Sequence, residues 1–169
     1  MADLIDGQSH NQQANSSAYY CNIPALLPLR LGAEPERTGE GAMIRVLLVD
    51  DQQAVRRGLA LRLVLEPDIQ IVGEAGTGRE ALEFAQALSP DVVLMDVEMP
   101  EMDGIETAAT LQAADSRSAV VMLSIHDDPL TRGRARAAGA VAFVEKGGTT
   151  EDLLSAIRQA ARHSGESLD

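Results

Sequence analysis

Short apolar runs alternate with amphipathic segments five times between Met43 and His163. The apolar runs are MIRVLLV, IQIVGEA, DVVLM, AVVMLS and AVAFV, which are rich in Val, Ile and Leu. Such continuous runs are typical of strands that are buried on both faces, whereas a half-exposed strand alternates apolar and polar positions. The pattern therefore predicts an α/β domain in which helices cover both faces of a parallel sheet.

The segments between these runs predict five helices, because their apolar residues recur at helical spacing. The first helix ends before Pro67, Thr77 can cap the second, and Ser89-Pro90 ends the second. The predicted helices cover 52–65, 79–88, 104–114, 129–138 and 149–162.

The N-terminal part of the chain differs in composition from the rest. It contains the polar segment NQQANSS, the proline-broken segment NIPALLPLRLG and the linker-like AEPERTGEGA. We predict a disordered N-terminal extension over 1–42, a domain over 43–163 and a short tail over 164–169. Two alternatives stay open: ALLPLRL packs on the domain or binds a partner, or translation begins at Met43.

Charge and composition exclude several classes of function. The chain of 169 residues has 26 acidic and 14 basic residues, for a net charge of −12, which opposes direct binding to a nucleic-acid backbone. No apolar run approaches the ~20 residues of a membrane helix, and the acidic N-terminus does not resemble a secretion signal. A single cysteine, Cys21, and the scattered His10, His126 and His163 argue against disulfides or a zinc site. We expect a cytoplasmic protein that does not bind membranes.

Polar residues follow four of the five predicted strands. Asp50 and Asp51 follow the first strand, Asp96 the third, Ser124 the fourth and Lys146 the fifth. A single charge at a strand end is most often only solvated, but all of these fall at the carboxyl edge of the sheet. In open α/β sheets this edge holds the functional site.

These residue types suit phosphoryl chemistry. Three neighbouring carboxylates repel one another unless they share a divalent cation, for which Mg2+ is the natural candidate, or unless one is protonated. Lys146 is the only lysine in the chain, and a compact ammonium suits a small anion beside a metal. In DVEMPEMDG, Pro100 and Gly104 predict a sharp loop that leaves the Asp96 carboxylate free. With Ser124 donating a hydrogen bond, Asp96 could accept a phosphoryl group.

Four motifs together resemble the receiver domain of two-component response regulators: LLVDD, DVVLMDVEMPEMDG, MLS and FVEKG. The resemblance extends from Met43 to about His163. It implies a flavodoxin-like, doubly wound, five-stranded parallel sheet of order 2-1-3-4-5, with helices on both faces. It also implies that Asp96 receives phosphate from a sensor histidine kinase or a phosphotransfer protein.

The resemblance further implies a magnesium site. Asp51, Asp96 and the backbone carbonyl of Glu98 would ligate Mg2+, and Asp50 would help to hold the ion through water.

The resemblance also assigns the residues around the phosphoryl group. Ser124 and Lys146 would contact it, and Ser124 and Phe143 would act as switch residues that reshape the fourth helix, fifth strand and fifth helix. Glu98 and His126 occupy positions that tune the lifetime of the phosphoryl group.

MLSIHDD, and a glycine after the lysine, resemble the subfamily whose receivers precede a LuxR-type helix-turn-helix. The usual proline is missing at Gly147, so the isomer of the Lys146–Gly147 bond stays open. Ile125 is bulkier than the alanine common at its position, and we expect it to narrow phosphoryl access.

The leading hypothesis is a single-domain phosphoacceptor that acts through protein contacts rather than an enzyme. The alternative is the receiver half of a truncated LuxR-type transcription regulator without its DNA-binding domain. An aspartate-nucleophile phosphatase is disfavoured because Gln52 stands where a second acid is needed. Three basic residues of the predicted fourth helix could suggest a DNA-binding surface, but such a group of arginines is more often only exposed to solvent: Arg132, Arg134 and Arg136.

Activation could also produce a homodimer through the fourth helix, fifth strand and fifth helix. Four apolar residues are candidates for this surface, although each is equally compatible with the core: Leu130, Ala137, Leu153 and Ile157.

Overall fold

The structure, a computed structural model, describes residues 42–126 and 128–165. Five strands and five helices alternate along the chain. The strands are β1 (Ile44–Val49), β2 (Ile69–Ala75), β3 (Val92–Asp96), β4 (Ala119–Ser124) and β5 (Ala140–Glu145). The helices are α1 (Gln53–Leu63), α2 (Gly78–Leu88), α3 (Gly104–Ala113), α4 (Pro129–Ala137) and α5 (Thr150–Gly165).

The strands form one parallel sheet of order β2-β1-β3-β4-β5, which confirms the predicted fold. Every residue of β3 and β4 is buried, whereas the edge strands β2 and β5 also carry partly exposed residues. This difference follows the sequence, because the runs at β3 and β4 are continuously apolar up to their last residue.

The core has two layers, one on each face of the sheet. On one face, α1 and α5 pack against the sheet through Leu59, Leu63, Leu153 and Ile157. On the other face, α2, α3 and α4 contribute mostly small side chains, with Leu111 among the larger ones. Helices therefore cover both faces of the central strands.

Helix boundaries agree with the sequence within a few residues. Thr77 caps α2 as predicted, since its hydroxyl accepts a hydrogen bond from the Glu80 amide. The first helix ends at Leu63, two residues before its predicted end, and the last helix runs to Gly165, three residues beyond 162.

The predicted N-terminal extension, 1–42, lies outside the described residues except for Ala42. The predicted tail begins within α5, and residues 166–169 also lie outside the described part. Within the described ranges, no helix combines the length and the apolar character that a membrane crossing requires.

Strand register brings the ends of β1, β3 and β4 to one level. Val49 lies beside Met95, and Asp96 lies beside Leu123. The residues that follow these positions, Asp50 and Ser124, therefore emerge at the same edge of the sheet as Asp96.

Candidate functional site

Three carboxylates meet at the carboxyl edge of the sheet. Asp50 and Asp51 follow β1, and Asp96 is the last residue of β3. Each offers one carboxylate oxygen, and these oxygens lie within 4.8 Å of one another. Asp50 is 0% exposed and Asp96 is 2% exposed, whereas Asp51 is exposed. The predicted acidic cluster is therefore present, with one member open to solvent.

Backbone amides orient the two buried carboxylates. Asp50 Oδ1 accepts a hydrogen bond from the Gln52 amide at 2.8 Å, and Asp96 Oδ1 accepts one from the Glu98 amide at 3.2 Å. Each contact closes a tight turn just after the strand, because donor and acceptor are two residues apart. The second oxygen of each carboxylate is then directed toward the cluster.

Lys146 supplies the positive charge between the buried carboxylates. Its Nζ lies 2.6 Å from Asp50 Oδ2 and 2.9 Å from Asp96 Oδ2, and its side chain is 14% exposed. The backbone amide of Lys146 donates to the Ser124 carbonyl at 2.8 Å, which ties the β5–α5 loop to the end of β4. The lysine singled out by the sequence therefore reaches both buried acids.

Burial and charge shift the pKa values at this edge. Burial raises the pKa of the Asp96 carboxyl above its ordinary value, and the charge of Asp50 adds to the increase, while Lys146 and the Glu98 amide partly oppose it. Burial alone would lower the pKa of the Lys146 ammonium, but its contacts with Asp50 and Asp96 outweigh burial and raise the pKa. The lysine is therefore held in its charged form beside the acids.

The donor set fits a hard divalent cation. Three carboxylates offer only oxygen ligands, which Mg2+ prefers. The buried Asp50 Oδ2 is paired with Lys146 Nζ at 2.6 Å, and the same ammonium also contacts Asp96 Oδ2, so one positive charge serves two of the three acids. The cluster therefore keeps excess negative charge, which a divalent cation would neutralise. The residues present thus fit the predicted magnesium site.

Ser124 and Phe143, the two predicted switch residues, lie on neighbouring strands. Ser124 is 1% exposed, and its hydroxyl oxygen accepts a hydrogen bond from the His126 amide at 3.0 Å. Phe143 is partly exposed, and the guanidinium carbon of Arg132 lies 5.0 Å from the centre of its ring. This distance is that of a cation–π contact between α4 and β5.

A small cavity of about 290 Å³ opens beside Asp96. Glu98 and His126, the residues expected to tune phosphoryl lifetime, both line it, and Glu98 Oε1 lies 3.9 Å from His126 Nε2. Ser124 also lines the cavity, together with Val97, Asp103, Asp128, Thr131 and Arg134. The cavity therefore lies beside the ends of β3 and β4, and Asp96 itself is not among its lining residues.

Other sequence expectations have mixed outcomes. Ile125 is 58% exposed, so more than half of its surface faces solvent. The Lys146–Gly147 bond is trans. Among the candidates for a dimer surface, Leu130 is 74% exposed, whereas Leu153 and Ile157 are buried in the core at 2% and 0% exposure. These two residues are therefore core residues, because they lie on the face of α5 that packs on the sheet.

A larger cavity, of about 1050 Å³, lies at the opposite edge of the sheet. Its lining includes Ile44, Asp91 and Ser118, which are at or just before the beginnings of strands. The larger cavity volume is thus not at the candidate site, which is identified by its charged groups instead.

Arg56 contacts the backbone of the site, although no local sequence pattern singles it out. Its guanidinium donates to the backbone carbonyl of Asp50 and to the Glu74 carboxylate. The adjacent arginines of VRRG suggest a solvated helix face, and Glu74 lies eighteen residues further along the chain. Only the packing of α1 on β2 brings them together.

Comparison with known proteins agrees with this geometry. The family model of the response regulator receiver domain matches residues 46–158. The transcriptional regulatory protein LiaR of Bacillus subtilis is 41% identical over 122 residues, which cover 71% of this chain and 57% of LiaR. UhpA of Escherichia coli is 40% identical over 119 residues, which cover 70% of this chain and 59% of UhpA. The chain thus spans a little more than half the length of these curated relatives.

A solved structure agrees as well. The signal receiver domain of the response regulator NarL from Mycobacterium tuberculosis superposes with a TM-score of 0.69 and 35% identity, covering 72% of this chain and 98% of that domain. Response regulators are signalling proteins that interact with histidine kinases, and receiver domains bind Mg2+ at an acidic pocket. The chain belongs to the response regulator receiver domain family of two-component signalling systems.

Proposed function

We propose that this protein accepts a phosphoryl group on Asp96 from a histidine kinase or a phosphotransfer protein, with Mg2+ bound beside it. The observation that carries the proposal is the convergence of Asp50, Asp51 and Lys146 on Asp96 at one edge of the sheet. A carboxylate that only stabilised the fold would not need two further acids next to it, because their mutual repulsion costs stability.

Among the three acids, Asp96 is the best placed acceptor. It ends the central strand β3, where the Glu98 amide fixes one carboxylate oxygen and Lys146 contacts the other. The two residues that follow it, Val97 and Glu98, line the small cavity together with Ser124. Asp50 is completely buried, and Asp51 is the exposed member of the cluster.

In the proposed step, an Asp96 carboxylate oxygen forms a bond to phosphorus while the phosphorus–nitrogen bond of the donor phosphohistidine breaks. The imidazole leaves with the electron pair of that bond and takes up a proton. Lys146 offsets the negative charge of the transferred oxygens, and the Ser124 hydroxyl donates a hydrogen bond to one of them. The fixed contacts of Asp96 keep its carboxylate aligned before the donor arrives.

Asp51, Asp96 and the backbone carbonyl of Glu98 would hold Mg2+, and Asp50 would contribute through water. The ion would supply charge neutralisation for the incoming phosphoryl group. Since Lys146 already contacts two of these acids, we expect its ammonium to shift when the ion binds.

Phosphorylation would then change a surface that binds a partner or a second copy of the chain. The Ser124 hydroxyl, which accepts from the His126 amide, would reorient toward the phosphoryl group. Phe143 lies on the next strand, under Arg132 of α4, so its ring is placed to respond to a change at the end of β4.

We place this protein in the cytoplasm.

The test uses phosphoramidate, a small donor with a phosphorus–nitrogen bond, and intact-mass spectrometry. We expect the wild-type protein to gain the mass of one phosphoryl group with Mg2+ and none with EDTA. Asp96→Asn should gain none. Asp115→Asn, a change at an exposed aspartate of the α3–β4 loop, should behave as wild type. The proposal would be overturned if Asp96→Asn were phosphorylated to the wild-type level, or if the wild-type protein were not phosphorylated at all.

A further inference from the structure

Arg56 joins helix α1 to the ends of two strands. Its Nη1 donates to the backbone carbonyl of Asp50 at 2.5 Å, and its Nε donates to Glu74 Oε2 at 3.2 Å. The side chains of Arg56 and Glu74 are only 13% and 17% exposed. The guanidinium is therefore well enclosed, and it contacts the backbone of a residue whose carboxylate belongs to the acidic cluster.

Helix α1 begins without the side-chain cap found on its neighbours. Gln52 is at its N-cap position, makes no side-chain cap hydrogen bond, and is followed by no acidic residue in the first turn. The other four helices have such a cap, provided by Thr77, Asp103, Asp128 and Thr149. The β1–α1 loop, which carries Asp50 and Asp51, is held by the Asp50 side chain, by Arg56, and by the Asp50 amide, which donates to the Ala75 carbonyl at 3.1 Å.

The geometry of these contacts requires a guanidinium. Nε and Nη1 are fixed in one plane, so a single rigid group holds the Asp50 carbonyl and the Glu74 carboxylate at a set distance from each other. A lysine ammonium has one nitrogen at the end of a flexible stem and lacks this fixed spacing. Removing the guanidinium would leave the Asp50 carbonyl without its partner and free the loop to shift.

We propose that Arg56 is a positioning residue, which fixes the β1–α1 loop so that the carboxylates of Asp50 and Asp51 are already in place for Mg2+. The proposal rests on the function proposed above. Arg56 acts through the loop backbone and does not contact the phosphoryl group or the ion. Groups that orient metal ligands in this indirect way typically change metal affinity by about 10- to 100-fold when they are removed.

The first experiment measures the Mg2+ dissociation constant by isothermal titration calorimetry. We expect Arg56→Gln to raise it about tenfold or more. Glu74→Gln, which weakens the second anchor of the guanidinium, should raise it by a smaller factor. The matched control is Arg57→Gln, which removes the same charge from the exposed neighbouring position and should stay within about twofold of wild type.

Two further measurements separate positioning from general stability. In the metal-free protein, hydrogen exchange of the Gln52 amide, which donates to Asp50 Oδ1, should be faster in Arg56→Gln than in Arg57→Gln. With phosphoramidate, Arg56→Gln should need more Mg2+ for its half-maximal rate, while its rate at saturating Mg2+ approaches that of wild type. A variant that was only less stable would lose melting temperature without these changes.

If Arg56→Gln does not fold, Arg56→Lys replaces it in all three measurements, with the same expected directions. The positioning role would be overturned if Arg56→Gln and Arg57→Gln had equal dissociation constants for Mg2+ and equal exchange rates at the Gln52 amide. This result would leave the proposed function intact, provided that the wild-type protein still accepts a phosphoryl group. A wild-type protein that binds no Mg2+ and accepts no phosphate would overturn the proposed function, and this proposal with it.

Discussion

Gly104 sets how closely helix α3 approaches the acceptor residue. A Cβ atom at this position would lie 1.9 Å from the backbone oxygen of Asp96 and 2.9 Å from its carbonyl carbon. The Gly104 amide also donates to the Val97 carbonyl at 3.0 Å, so the loop closes on itself here. Gly104→Ala must therefore move backbone rather than the flexible end of a side chain.

The size of this movement follows from the contact distance. An ordinary carbon–oxygen contact needs more than about 3 Å, so α3 or the end of β3 must shift by roughly 1 Å. Overpacking of this kind usually costs about 1–3 kcal/mol, and we expect a value near 3 kcal/mol because the obstacle is backbone. A displacement of about 1 Å at Asp96 should also lower the phosphorylation rate by about 100-fold.

The assays are urea unfolding and the rate of phosphorylation by phosphoramidate. Gly133→Ala is the matched control, since nothing lies within 4 Å of a Cβ atom there and the residue is inside α4. This control should stabilise the protein by about 0.5–1 kcal/mol, as expected for glycine replaced by alanine in a helix. A Gly104→Ala protein as stable and as reactive as Gly133→Ala would refute the argument.

Two further predictions concern charge and the core. Arg158 hydrogen-bonds to Asp68 and lowers the pKa of Asp68 below its ordinary value of 3.8, so this pair stabilises the fold above that pH and less as the pH falls through the lowered pKa. Arg158→Gln should therefore lower the free energy of unfolding at neutral pH. It should also make the free energy of unfolding fall less steeply as the pH drops below 3.8, which urea unfolding across pH measures. Ile157→Ala should cost about 2–5 kcal/mol in the same assay because Ile157 is fully buried, whereas Leu130→Ala should cost less than about 0.5 kcal/mol; equal losses would contradict their assignment to core and surface.

Much of the fold could be predicted because its strands are buried on both faces. A continuous apolar run such as DVVLM carries its own signal, and its end at Asp96 is visible in the sequence. Local chemistry also marks boundaries, as the Thr77 cap does at the start of α2. Since parallel strands end at one edge, the acids and Lys146 could be placed together without knowledge of their distances.

Contacts between distant parts of the chain could not be predicted in the same way. Arg158 bonds to Asp68 across ninety residues, and no local pattern connects them. The role of Arg56 depends on the register that brings β2 beside β1. Ile157 could have been core or surface, because helical spacing shows that a helix has an apolar face but does not show what covers that face.

The central claim is that the phosphoryl group is transferred to Asp96. Borohydride reduces an aspartyl phosphate to homoserine, which tandem mass spectrometry locates in the sequence. After reaction with phosphoramidate and Mg2+, we expect homoserine at position 96 and none at positions 50 and 51. Homoserine at either of those positions, or an unmodified position 96 in a phosphorylated protein, would contradict it.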